Sequence, residues 1–168
     1  MSMGKKSSCG MNLPEINMMD IPSDIMSKME RFCAWQERCE NDVRRKLTSF
    51  RLSDSQQDAI LKSLWANGFL DENRYVESFV RSKVKASWGR QKIVAALRAK
   101  GIPSELIAGA CSEISYDDYA DRLRSAIEKW KRLHPDVENA REKLIRHLLG
   151  KGYSIAEVMD AMKNDEKR

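Results

Sequence analysis

The chain has 168 residues, 42% hydrophobic and 33% charged, with 30 Lys plus Arg against 25 Asp plus Glu for a formal net charge of +5. That length and apolar content suit one domain or a few small units that bury a core. No apolar run reaches the roughly 18 residues a membrane span needs, and the N-terminus lacks the basic-then-apolar layout of a signal peptide, so the sequence reads as a soluble cytoplasmic protein.

Residues 1–23 contain Met1, Met3, Met11, Met18 and Met19, two of the four prolines and no apolar periodicity, which predicts a flexible tail. From Ser23 onward the apolar spacing is helical and strand-like alternation never persists, so the predicted class is all-α. Three apolar triplets fall into register at an offset of 50 or 51 residues: Val43, Leu47 and Leu52, then Ile93, Leu97 and Ile102, then Leu144, Leu148 and Tyr153. In the second and third copies a glycine, Gly101 or Gly152, stands before the last apolar member and predicts a left-handed helix stop. The first copy has Arg51 there, which predicts a looser turn.

After each stop comes a helix-starting residue, Ser53, Pro103 or Ser154, and before each lies another helix. The chain is thus predicted to hold three-helix units at 24–70, 71–115 and 116–168. Units this small barely close their own cores, so stacking into a short curved solenoid-like array is expected.

Charge is unevenly placed. Residues 73–101 contain Arg74, Arg81, Lys83, Lys85, Arg90, Lys92, Arg98 and Lys100 against the single acid Glu77, a net +7, which leaves −2 for the rest of the chain. A solvated helix would gain from interleaved acids four residues away, so their absence favours a binding face over a merely soluble one. Within this stretch, cations flank a corner at Trp88 and Gly89. Arg90 and Lys92 sit in the predicted first turn of a helix, where the macrodipole disfavours positive charge and an anion would relieve it.

Trp88 has two readings, a corner wedged between helices or a contact surface. Trp35, Trp65 and Trp130 lie on apolar helix faces and are predicted to be core, as are Tyr75 and Phe79, four apart on one face. The four cysteines, Cys9, Cys33, Cys39 and Cys111, are expected as reduced thiols, and no His or Cys set has zinc-ligand spacing. No phosphate loop or nucleophile elbow occurs, and the two histidines, His134 and His147, have no carboxylate orienter in sequence. A non-enzyme without cofactor or metal is expected.

The segments "CAWQERC" (33–39), "VRRKL" (43–47), "NGFLDENRY" (67–75), "FVRSKVKASWGRQKI" (79–93) and "LRAKGI" (97–102), with a weaker "LIRHLLGKGYS" (144–154), occur in an order and spacing that resemble the RecX regulatory proteins, bacterial modulators of the RecA recombinase. The resemblance covers roughly 29–160. It implies a monomeric three-repeat protein that binds in the groove of the RecA filament on DNA, blocks strand exchange, and suppresses ATP hydrolysis or favours disassembly. By matching position, Arg81, Lys83, Lys85, Arg90 and Lys92 would be electrostatic contacts, with Arg74 beside them and Trp88 and Gly89 shaping the corner. The alternative is a stand-alone DNA-binding module of helix-turn-helix-like units, contacting single- or double-stranded DNA through weak electrostatics. A third reading is a helical scaffold for another acidic partner.

Overall fold

The computed structural model describes residues 21–165. Among these, nine helices and no strand occur: α1 (Ser23–Trp35), α2 (Glu40–Leu47), α3 (Asp54–Ala66), α4 (Glu72–Lys85), α5 (Arg90–Ala99), α6 (Ser104–Ser112), α7 (Tyr116–Leu133), α8 (Ala140–Gly150) and α9 (Ile155–Asp165). The expected tail at 1–23 lies outside the described residues up to position 20. At its inner end the expectation fails, because Ile21 is buried in the core beside α1 and Ser23 already opens that helix.

The apolar register forms the interior. Val43, Leu47, Ile93, Leu97, Leu148 and Tyr153 are all fully buried, Leu144 and Ile102 nearly so, and Leu52 half-buried. Burying side chains of this size is worth about 2 kcal/mol each.

The helix stops follow from the backbone. Gly101 (φ 79) and Gly152 (φ 89) each adopt the left-handed conformation. The N–H of the glycine and of the apolar residue after it donate to carbonyls of the last helical turn, Arg98 and Leu97 in one case, Leu149 and Leu148 in the other. Gly68 (φ 71) closes α3 in the same way. At the first copy no residue turns left-handed, and α2 ends through Thr48, whose hydroxyl donates to the Arg45 carbonyl, as Arg51 led one to expect. Two of the new helices start with side-chain caps, Ser53 with Gln56 and Ser154 with Glu157 making reciprocal capping boxes, whereas Pro103 opens α6 without one.

Helices α1–α3 close one core around Met29, Val43, Leu47, Ile60 and Leu64. Helices α4–α9 share a second, continuous core that runs from Val76 and Ile93 to Ile127, Leu148 and Val158. Only Cys39, in the α1–α2 connection, crosses from the first triplet into that second core. Two tryptophans depart from expectation. Trp35 is 88% exposed and Trp65 39% exposed, whereas Trp130 is buried. Trp35 lies two residues past buried Cys33, roughly 200° around the helix, and therefore faces away from the core; Trp65 sits about 100° off the Ile60–Leu64 face. Tyr75 and Phe79 pack as expected, with ring centroids 5.9 Å apart.

Candidate partner and nucleic-acid interface

The Trp88–Gly89–Arg90 corner joins α4 to α5, and it is also where the second helix triplet meets the third. Gly89 N–H donates to the Lys151 carbonyl at 2.8 Å and Gln91 N–H to the Gly152 carbonyl at 3.1 Å. Arg90 N–H donates to the Tyr119 hydroxyl at 2.9 Å. Burial pushes the Tyr119 phenol up to about 12, so it stays neutral. The C-terminal carbonyls at the end of α8 thus occupy the N-terminal donors of α5, opposite ends of two helix dipoles in contact. The anion expected at that N-terminus is displaced by the protein's own backbone.

No side chain fits at this joint. A Cβ on Gly89 would stand 2.1 Å from the Gly152 carbonyl carbon and oxygen, and one on Gly152 would stand 2.3 Å from Lys92 Cβ.

Around the joint the cations spread over the outer surface. Lys83 Nζ lies 4.9 Å and Lys92 Nζ 4.6 Å from the centre of the half-buried Trp88 ring. Trp88 is therefore both a wedge packed on the core and a platform that holds two ammonium groups. Arg90 rests its guanidinium 5.1 Å from the Tyr119 ring. Arg81 and Lys85 project from the last turns of α4 and are exposed. None of these five cations makes an ion pair among the described residues.

Arg74 does not belong to this set. Its guanidinium forks onto both oxygens of Glu37, at 3.0 and 3.4 Å, and onto the Gly68 carbonyl at 2.9 Å, so it ties the first triplet to the second. Lys100 is likewise committed, with Nζ 2.8 Å from both oxygens of the buried Asp42. Asp42 also accepts from Arg45 at 2.9 Å and from the Cys39 thiol at 3.3 Å. Burial is the largest influence on the Asp42 carboxyl and raises its pKa. The hydrogen bonds from Lys100 and Cys39 and the charges of Lys100 and Arg45 together outweigh it and hold the group below its ordinary 3.8. Glu37 and Asp42 lie outside the stretch in which the cations were counted, which is why the sequence could not reveal these pairings.

Comparison with known proteins fits this architecture. The family model described as "RecX, second three-helix domain" matches residues 71–110, the span that contains α4, α5 and most of α6. The regulatory protein RecX of Prosthecochloris aestuarii (strain DSM 271 / SK 413) is 32% identical over 132 residues, covering 76% of this chain and 85% of the relative. The chain belongs to the RecX family of regulatory proteins.

The Escherichia fergusonii RecX is 26% identical over 150 residues, covering 83% of this chain and 90% of that one. The solved structure of RecX from Lactobacillus salivarius shares the fold, with a TM-score of 0.71 at 21% identity over 88% of this chain and all of the other. A second RecX crystal structure aligns with a TM-score of 0.75 at 24% identity, over 84% of this chain and 72% of its own. In this RecX-family chain no described helix is long and apolar enough to cross a membrane.

Proposed function

We propose that the chain binds the RecA recombinase filament on DNA as a monomer and inhibits its ATP hydrolysis and strand exchange. Its three helix triplets act as repeats 24–70, 71–115 and 116–168, and the reaction it controls is carried out by the recombinase. What supports the reading, beyond membership of the family, is the group of cations on α4 and α5 that make no ion pair among the described residues. Arg90 and Lys92 stand in the first turn of α5, beside a backbone contact too close for any side chain, and Arg81, Lys83 and Lys85 stand on the second half of α4 before it. Cations concentrated on two adjacent helices suit a repetitive anionic surface, such as DNA phosphates in a filament groove. The test is RecA-mediated strand exchange with increasing amounts of the full chain. Exchange is expected to fail at ratios well below one chain per recombinase subunit; undiminished exchange at excess would refute the reading.

Direct DNA contact is part of the same reading, and salt measures its extent. All eight cations of 73–101 on duplex phosphate would give a slope of log K against log salt of about −7. With Arg74 and Lys100 held by Glu37 and Asp42, six remain, and the expected slope is about −5. Fluorescence anisotropy with a labelled duplex between low and moderate salt reads it directly. A slope near zero would mean that these cations meet protein rather than phosphate.

A further inference from the structure

The ends of α4, α7 and α8 enclose a cleft of about 400 Å³ beside the second–third joint. Three lysines reach it from separate elements: Lys85 from the last turn of α4, Lys129 from α7, and Lys151 from the residue that caps α8. His134 and His147 complete its titratable lining, and among the described residues no carboxylate lines it. Lys85 and His147 sit in last turns, where a cation offsets the negative end of the helix dipole. Helix α7 already carries Lys131 and Arg132 for that purpose, so Lys129 exceeds what the helix ends call for. None of the three cleft lysines has an ion-pair partner among the described residues.

Ser87, also in the lining, points the same way. It ends α4 with the hydrogen-bond pattern of the glycine caps, Ser87 N–H to the Val84 carbonyl and Trp88 N–H to the Lys83 carbonyl. Yet its φ is 57°, in the region where the three equivalent ends place Gly68, Gly101 and Gly152. A side chain is held there at an energetic cost that glycine would avoid. Ser87 and Ser125 both line the cleft, and their hydroxyls have no hydrogen-bond partner among the described residues. His134 stacks on Trp130 with centroids 4.5 Å apart, and its Nδ1 lies 2.8 Å from the Trp130 carbonyl. A carbonyl only accepts, so that bond needs the proton on Nδ1. Burial, and after it the charges of Lys151 and His134, hold the His147 imidazole below its usual value.

We propose that this cleft binds a phosphate group, with Lys85, Lys129 and Lys151 supplying the charge and the Ser87 hydroxyl a donor. The unprotonated oxygens of a phosphate accept hydrogen bonds, and among the described residues the lining offers ammonium and hydroxyl donors with no carboxylate to repel it. The site extends the filament reading but does not need the recombinase, so the two can fail separately.

The experiment follows the imidazole NMR signals of the full chain, whose only histidines are His134 and His147, at low salt with inorganic phosphate, ATP or an oligothymidylate. Binding is expected to shift both signals and to raise the His147 titration midpoint, because a bound anion favours the imidazolium. The pair Lys129→Glu with Lys151→Glu is expected to weaken binding at least tenfold. Ser87→Gly is expected to raise the thermal midpoint while weakening binding roughly fivefold, which separates lost recognition from lost folding. A response to the oligothymidylate alone supports the site with a nucleic-acid backbone as its source, and a response to ATP or phosphate alone supports it with a free phosphate as its source. Signals unmoved by all three at millimolar concentration, or binding unchanged in Ser87→Gly and in the double variant, would overturn it. Strand exchange still blocked by the double variant would then leave the filament reading standing without the cleft.

Discussion

Gly89→Ala is expected to lower stability by about 3 kcal/mol or more, and to lower the thermal midpoint by roughly 6–12 °C in a chain of this size. The added methyl would meet the Gly152 carbonyl carbon and oxygen at 2.1 Å and the Tyr153 nitrogen at 2.2 Å. All three are backbone atoms that cannot rotate aside, and the strand of chain they belong to is pinned by the left-handed turn at Gly152. Relief requires α5 to back away from the end of α8. That in turn breaks the Gly89 to Lys151 and Gln91 to Gly152 hydrogen bonds and opens the core that the second and third triplets share. Thermal unfolding followed by circular dichroism measures it, with Gly109→Ala as control, since nothing lies within 4 Å of a Cβ at that helical glycine. A Gly89→Ala protein as stable as wild type would mean that the joint is not closed in solution.

Asp42→Ala comes next, at an expected cost of about 2–4 kcal/mol. The Asp42 side chain is 8% exposed and that of Lys100 27%. Truncation strands the Lys100 ammonium against Tyr75, whose ring centre is 5.8 Å away, and deprives the buried Cys39 thiol of its acceptor. The exposed Arg45 simply returns to water, so it adds little. The effect also has a pH signature. Because the folded pKa of Asp42 lies below 3.8, its stabilisation is present in full above the unfolded value and is lost as pH falls through the folded one. The stability gap between wild type and Asp42→Asn is therefore expected to be constant near neutral pH and to close in acid. A gap that widened in acid would contradict the Lys100 pairing.

Much of this architecture was legible in the residues because it depends on local rules. The 50-residue register of Val43, Ile93 and Leu144 marks buried helix faces, and Gly101 and Gly152 mark stops, since both signals rest on spacing within one or two turns. Ser87 performs the same stop without the glycine that advertises it, and so went unseen. Trp35 and Trp65 misled because a large apolar side chain next to an apolar stripe resembles part of it; a 100–200° offset around the helix decides the matter.

The site was legible as a charge excess but not as a set of partners. Arg74 and Lys100 looked like the other cations of 73–101, and only the fold brings Glu37 and Asp42 to them. The backbone approach of Gly89 to Gly152, 63 positions apart, leaves no periodic trace. Once the paired cations are set aside, Lys83 and Lys92 remain against Trp88, Arg90 against Tyr119, and Arg81 and Lys85 on another side of α4.

Whether the cations of α4 and α5 carry the proposed inhibition is read by one assay. ATP hydrolysis by the cognate RecA on single-stranded DNA is measured with wild type and with Arg81→Glu, Arg90→Glu and Lys92→Glu combined. These side chains are exposed and make no ion pair among the described residues, so the triple variant is expected to stay folded, which its circular dichroism melt checks because Lys92 also donates to the Gly150 carbonyl. Wild type is expected to suppress hydrolysis at substoichiometric ratios and the folded variant to require at least a hundredfold more protein. Equal suppression by the two proteins would contradict the account.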